Sequence, residues 1–202
     1  FETQSEPRGV ADALLVAEQW LDGDPCALVL GDNLFFGTGL PDRMHRADER
    51  EEGATVFTYP VSDPSAFAVM DVDGQGKPTG ICEKPETPSS ALAVTGLYFY
   101  DSQAPERARS LTPSARGELE ITSLNQSYLD AGKLHVESLG QPGSLIDAAA
   151  PTCLIVYFLQ RDDVGLKRRQ CGGGAFEINR AVHASAVLDV VCRYSNRSRF
   201  FM

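Results

Sequence analysis

The sequence contains no apolar run long enough to span a membrane. The best candidate, residues 153–159, has the length of a buried strand or a buried helix segment. The first four residues, Phe1-Glu2-Thr3-Gln4, lack the basic leader and the apolar region of a signal peptide. They also lack an initiator methionine, which suggests a fragment of a longer protein. These absences predict a soluble protein.

Cysteine is scarce and irregularly placed. The five cysteines, at positions 26, 82, 153, 171 and 192, show no CxxC or other metal-type spacing. An odd, scattered set fits reduced thiols in a cytoplasm better than a disulfide framework, so we expect a cytoplasmic location. The sequence also lacks a Ser/His/Asp arrangement for nucleophilic catalysis, and its three histidines are interpreted as structural or surface groups.

Positive charge is scarce in the first three quarters of the chain. Residues 1–150 carry a net charge of −14 and residues 151–202 a net charge of +4. An acidic body argues against non-specific nucleic-acid binding, which requires a basic face. An anionic substrate would therefore need a local positive site or a divalent cation.

Helical and strand patterns alternate along residues 1–150, which predicts an α/β fold with a mostly parallel, mixed sheet flanked by helices. After about residue 150 the pattern weakens, and we expect residues 151–202 to form a divergent, poorly ordered segment outside the core domain. The predicted helices are 9–21, 41–52, 104–111 and 117–131, the last with acidic residues in its first turn. The predicted strands are 26–30, 54–61, 91–100, 133–139 and a hairpin of 67–72 with 77–83.

Four groups along this pattern carry side chains suited to chemistry. Asp32 follows a buried strand, where it is either a plain turn residue or a carboxylate at the ligand-binding edge of a sheet. Glu83-Lys84 ends the hairpin, Arg116 precedes a helix, and Asp147 follows a turn and two apolar residues. Together they form a phosphate-and-magnesium constellation, since Mg²⁺ prefers carboxylates plus phosphate oxygens and Lys and Arg bind phosphate. The alternative is a set of surface ion pairs.

Two longer motifs make the pattern recognisable. The runs Val94-Thr95-Gly96-Leu97-Tyr98-Phe99-Tyr100 and Arg116-Gly117-Glu118-Leu119-Glu120-Ile121-Thr122 resemble the glucose-1-phosphate thymidylyltransferase family of sugar nucleotidylyltransferases. The resemblance extends over about residues 1–147. It implies a Rossmann-like sheet of the nucleotide-diphospho-sugar transferase type, with the first βα unit missing.

The resemblance also assigns roles to the charged residues. Asp32 and Asp147 match the two ligands of Mg²⁺, and Lys84 and Arg116 match the catalytic residues that hold the sugar phosphate. Further residues match substrate-binding positions: the nucleobase loop at Gln4, Pro7 and Gly9, the carboxylate on the sugar hydroxyls at Glu83, and the sugar pocket at Val94 and Tyr98.

The implied reaction is Mg²⁺-dependent transfer of a nucleotide from dTTP to glucose 1-phosphate, which gives dTDP-glucose and pyrophosphate for rhamnose or deoxysugar synthesis. The partners implied are these two substrates and further copies of the chain, in a tetramer, without nucleic acid or membrane. Four departures stand against a simple transfer of activity, one of which is the faint match beyond Asp147. The family's N-terminal Gly-rich loop would precede Phe1. Ala68 stands where the family has a glycine, and Asp147 is the one residue of its family motif that this sequence keeps. A non-catalytic fragment, a sugar-phosphate-binding relative, or a uridylyl- or cytidylyltransferase are the alternatives.

Overall fold

The computed structural model describes residues 4–31, 33–35, 39–139, 145–147 and 156–160. None of the helices in these ranges is long and apolar enough to cross a membrane. The helices are α1 (Asp12–Val16), α2 (Glu18–Leu21), α3 (Leu40–Asp48), α4 (Ala104–Arg109) and α5 (Ile121–Asp130). The strands are β1 (Cys26–Leu30), β2 (Asn33–Phe35), β3 (Ala54–Pro60), β4 (Ala68–Val72), β5 (Pro78–Glu83), β6 (Leu92–Tyr100), β7 (Leu134–Ser138), β8 (Leu145–Asp147) and β9 (Val156–Gln160).

Strand β6 is the centre of the seven-stranded sheet. It pairs antiparallel with β3 along one edge, from Ala54 opposite Tyr100 to Pro60 opposite Leu92. Because a strand has two edges, β1 and β4 share the other one. Strands β1, β3 and β7 point the same way, and β6 runs against them, so the sheet is mixed. The predicted α/β fold, a mixed sheet with flanking helices, is confirmed. The sheet is not mostly parallel as predicted: among the described strands, β3 with β7 is the one parallel pair, and the other pairings are antiparallel.

The core lies on both faces of this sheet because side chains alternate along each strand. On one face, Leu28, Val56 and Tyr98 pack against α1, α4 and α5. On the other face, Val29, Phe57 and Phe99 pack against α3. The continuous apolar character of β1 therefore reflects burial on both sides, as its sequence predicts.

Three predicted helices differ from the observed ones by more than two residues. The one predicted over residues 41–52 ends at Asp48. The helix predicted over residues 9–21 is divided at Ala17 into α1 and α2. The helix predicted from residue 117 begins only at Ile121, because Gly117 has a φ of +77° in a turn that its N–H closes on the Ser114 carbonyl. The acidic residues expected in the first helical turn therefore precede the helix, with Glu120 at its N-cap.

The C-terminal quarter contributes one described strand. Residues 156–160 form β9, which pairs antiparallel with β1 along the edge that β6 does not use. The apolar stretch that was interpreted as a buried strand or helix segment thus includes strand residues. The rest of the segment 151–202 lies outside the described residues, so its separation from the core stays a prediction.

A buried carboxylate joins α3 to the sheet. Glu137 on β7 accepts hydrogen bonds from Arg46 Nη2 at 2.8 Å and from Arg50 Nη2 at 3.0 Å. Burial by itself disfavours the Glu137 carboxylate, but these hydrogen bonds and the two positive charges outweigh it and hold the pKa of Glu137 below its ordinary value of 4.5.

We expect Glu137→Gln to lower the free energy of unfolding by about 1–3 kcal/mol at neutral pH, because two charge-assisted hydrogen bonds are weakened. Because the pKa of Glu137 is lowered in the folded state, its ionised carboxylate stabilises the fold at pH values above the ordinary pKa. This contribution to stability is lost as the pH falls through the folded-state pKa. Urea unfolding at about pH 7 and about pH 3.5 should therefore show a variant deficit that shrinks in acid. The exposed Glu106, paired with Arg109, provides the control: Glu106→Gln should cost less than about 0.5 kcal/mol. An equal Glu137→Gln deficit at both pH values would contradict the ionic origin.

Candidate functional site

The sheet divides along one edge of β6. Along this edge, β1 pairs with β6 from Leu97 onward and β4 pairs with β6 at Ala93. The three β6 residues between these positions are paired with neither strand, which leaves a gap. The Asn33 side chain enters this gap, where its Oδ1 accepts a hydrogen bond from the Gly96 N–H at 2.9 Å. A Cβ at Gly96 would lie 2.7 Å from the Cβ of Leu30, the last residue of β1, so only glycine fits at this position without a shift of that side chain.

The end of β1 and the region around Asp147 meet at this gap. Strands β2 and β8 pair antiparallel, with Asn33 directly opposite Asp147. Asp147 is the last residue of a strand, as its sequence context suggested. Asp32 precedes Asn33 in the sequence but lies outside the described residues. The backbone register therefore brings Asp147 to the segment that carries Asp32, across more than one hundred residues of chain.

The acidic and basic pair at the end of β5 is held by its neighbours. Glu83 lies opposite Ala68 of β4, and its Oε2 accepts a hydrogen bond of 2.5 Å from the Thr122 hydroxyl. Lys84 has a φ of +42°, and its N–H donates to the Phe67 carbonyl at 3.0 Å. This left-handed conformation ends the strand and turns the chain at the exposed lysine, so strain is placed at a candidate site residue.

Arg116 lies in the turn before α5 and is surrounded by carboxylates. Its Nη2 is 2.9 Å from Glu120 Oε1 and 3.3 Å from Glu118 Oε2. The hydrogen bond to Glu120 and the charges of Glu120, Glu118 and Glu83 raise the pKa of Arg116 above its ordinary value. Burial raises the pKa of Glu120, but hydrogen bonds from Arg116 and Ser114 outweigh burial and lower the pKa below its ordinary value. The charges of Arg116 and Lys84 lower it further. Lys84, Glu83 and Arg116 thus belong to one electrostatic cluster.

The N-terminal segment docks directly on the Arg116 turn. Leu119 donates its N–H to the Arg8 carbonyl at 2.7 Å and accepts the Ala11 N–H at 3.1 Å. Gly9, with a φ of +99°, lies between these bonds, and a Cβ there would be 2.4 Å from the Leu119 carbonyl oxygen. Gln4 is half-buried against this loop, and Pro7 is exposed. The predicted nucleobase segment therefore contacts the predicted sugar-phosphate turn.

The two residues assigned to the sugar pocket are more enclosed than the others. Val94 is 8% exposed and Tyr98 4% exposed, and both contribute to the core on the α5 side of the sheet. The Tyr98 ring stacks on Tyr100, with 6.0 Å between centroids. Since side chains alternate along a strand, Val94 and Tyr98 lie on the same face as Gly96. Their contact with a sugar stays a prediction.

Sequence reasoning missed three residues that shape this site: Asn33, Thr122 and Asp12. Asn33 follows Asp32 in a run of turn formers, and nothing in that local pattern indicates that its amide oxygen accepts the Gly96 N–H. Thr122 and Asp12 act through Glu83 and Gln4, contacts that no local pattern reveals. Among the side chains that the structure describes, no three acidic, histidine or cysteine groups converge as a metal site.

The mixed sheet with helices on both faces is that of an α/β nucleotide-sugar transferase fold. The sequence model of the nucleotidyl transferase family matches residues 1–152, and the chain belongs to this family. Within it, the chain is 53% identical over 147 residues to a glucose-1-phosphate thymidylyltransferase of Xanthomonas campestris, a match covering 73% of this chain and 50% of that protein. A protein of the same name from Mycolicibacterium smegmatis is 46% identical over the same length, 51% of its own.

A solved structure agrees with these sequence matches. A Bacillus anthracis protein described as a glucose-1-phosphate thymidylyltransferase, in complex with sucrose, superposes with a TM-score of 0.63 at 39% identity. The match covers 72% of this chain and 57% of that one. The chain spans about half the length of the curated relatives it matches.

Proposed function

We propose that the protein transfers a nucleotide from dTTP to glucose 1-phosphate and so forms dTDP-glucose and pyrophosphate. The names of its relatives support this substrate pair. The observation that carries the proposal is the docking of the Gly9 segment on Leu119, because it joins the expected nucleobase loop to the turn that bears Arg116. A transferase needs two substrates held side by side, and contact between these two segments supports a single binding surface for both.

Lys84 and Arg116 are the proposed catalytic residues. Two polyanionic substrates repel each other, so the protein must neutralise charge and fix an in-line arrangement rather than supply a nucleophile. Lys84 offers a point charge at a turn, and Arg116 offers a planar fork for phosphate oxygens. Because Glu118 and Glu120 pair with Arg116 in this structure, a sugar phosphate would compete with these carboxylates for the guanidinium.

Asp32 and Asp147 are the residues that we propose hold Mg²⁺. The fit rests on the β2–β8 register, which sets Asp147 opposite Asn33, and on the oxygen donors that Mg²⁺ prefers. When bound, the ion would offset negative charge on the transferred phosphate groups.

The remaining substrate contacts are proposed on the same basis. Glu83 would accept hydrogen bonds from sugar hydroxyls, with the Thr122 hydroxyl holding its orientation. Val94 and Tyr98 would form the apolar floor of the sugar pocket, and Gln4, Pro7 and Gly9 the loop around the base. A place in dTDP-rhamnose or deoxysugar synthesis, a tetramer of this chain and a cytoplasmic location complete the proposal.

The experiment that tests the function measures pyrophosphate release with glucose 1-phosphate and a panel of nucleoside triphosphates, with and without Mg²⁺. The Xanthomonas campestris relative serves as the positive control. We expect release with dTTP and loss of release without Mg²⁺. Release with UTP or CTP instead would favour a uridylyl- or cytidylyltransferase. Binding of glucose 1-phosphate with no release from any triphosphate would favour a sugar-phosphate-binding protein and overturn the proposal.

A further inference from the structure

The Gln4 side chain uses both hydrogens of its amide nitrogen. Its Nε2 lies 2.7 Å from Asp12 Oδ2 and 3.1 Å from the Gly9 carbonyl oxygen. An ionised carboxylate and a backbone carbonyl are acceptors without a hydrogen to give. Each of them can be satisfied by the NH₂ end of the amide and is repelled by its oxygen.

Two acceptors on the same side therefore determine which way the amide faces. Flipping Gln4 would set its Oε1 against the Asp12 carboxylate and the Gly9 carbonyl and would lose two hydrogen bonds at once. The Gln4 oxygen is thus kept on the side of the amide away from the Asp12 carboxylate.

Asp12 is well placed to impose this orientation. It begins α1, and it is 4% exposed although it is charged, which is rare for an acidic residue without a strong partner. It forms an ion pair with the largely exposed Arg8, whose Nη2 lies 3.6 Å from Asp12 Oδ1. Its other oxygen meets the Gln4 amide at a shorter distance, so the neutral amide makes the closer contact.

We propose that Asp12 is a positioning residue for base selection, which acts by fixing the Gln4 oxygen as a hydrogen-bond acceptor toward the nucleobase. This rests on the proposed function, in which Gln4 belongs to the nucleobase loop. A thymine or uracil ring carries an N–H at N3 and can donate to this oxygen, whereas cytosine has a bare acceptor nitrogen there. The site then selects keto pyrimidines and rejects cytosine, because two acceptors would face each other.

The test compares the dissociation constants of dTTP and dCTP by isothermal titration calorimetry on the whole chain. We expect the wild type to bind dTTP at least about tenfold more tightly, as one good hydrogen bond against a repulsive contact provides. Asp12→Asn has the same shape but can turn its NH₂ toward the flipped Gln4 oxygen. The Gly9 carbonyl alone then favours the original orientation, so the ratio should fall to about threefold. Arg8→Gln removes the ion pair but keeps the acceptor, and it should preserve the wild-type ratio.

Gln4→Ala removes the acceptor itself from a half-buried loop and keeps the inference falsifiable if Asp12→Asn does not fold. We expect it to lower the dTTP-to-dCTP ratio as Asp12→Asn does. A ratio that survives both substitutions, or equal wild-type affinity for the two nucleotides, would overturn the inference. Binding with the expected ratio but without pyrophosphate release would overturn the proposed function alone. Failure to bind either nucleotide would overturn both.

Discussion

Replacing Asp147 with asparagine should lower kcat for pyrophosphate release from dTTP and glucose 1-phosphate by about two to three orders of magnitude. The substitution removes one of the two negative charges proposed to hold the metal ion. A metal ion stabilises the transition state of phosphoryl transfer by several kcal/mol, and each 1.4 kcal/mol corresponds to about a tenfold change in rate. The concentration of Mg²⁺ needed for half-maximal rate should rise as well. Asp32→Asn should behave in the same way, because β2 and β8 bring the two segments together.

The experiment measures initial rates across a Mg²⁺ titration, with circular dichroism and thermal unfolding to verify that the variants fold. Asp130→Asn is the matched control, since Asp130 is an exposed carboxylate at the last residue of α5 and bonds only locally to Gln126 in the described contacts. We expect the control to retain wild-type rates. Asp147→Asn rates within a few-fold of wild type at low Mg²⁺ would show that this carboxylate does not hold the ion.

The second large effect is expected at Gly9. A methyl group there would lie 2.4 Å from the Leu119 carbonyl oxygen and 2.7 Å from its nitrogen, both of which are backbone atoms that cannot rotate away. The φ of +99° adds a conformational cost of about 1–3 kcal/mol for any residue with a Cβ. Gly9→Ala should therefore lower the free energy of unfolding by about 2–4 kcal/mol and weaken dTTP binding at least tenfold.

Gly23 provides the matched comparison for Gly9. It has a similar positive φ of +82°, but a Cβ there would meet no atom within 4 Å. Gly23→Ala should cost about 1 kcal/mol and leave nucleotide binding unchanged. Urea unfolding and calorimetry on both variants separate backbone strain from the contact with Leu119. Equal losses in the two variants would mean that the Leu119 contact contributes nothing beyond strain.

Much of the secondary structure follows from local pattern. The hairpin of β4 and β5 has turn residues between two alternating runs, and β1 is a short apolar run between turn formers, so both are specified by neighbours in sequence. The start of α5 was predicted four residues too early because the acidic pair at 118 and 120 resembles a helical first turn. In the structure those carboxylates pair with Arg116 outside the helix.

The arrangement of the site was less accessible from pattern. The resemblance indicated that Glu83, Lys84 and Arg116 share a site, and the structure places them in one electrostatic cluster. No property of Gly9 in isolation indicates that it touches Leu119, and no property of Asp12 indicates that it orients Gln4. Such contacts join residues that are far apart in the chain or that face each other only after the loop has folded.

By itself the sequence determined the α/β class and the residue types suited to phosphate and metal chemistry. It also determined the strand ends at which Asp147 and Glu83 stand. All of these depend on composition and short-range periodicity. The tertiary structure alone decided that β1 and β4 part along β6, that Asn33 fills the gap, and that the N-terminal segment lies on the Arg116 turn. Those features arise from long-range strand pairing and from backbone contacts at glycines, where steric fit between distant segments rather than local preference selects the arrangement.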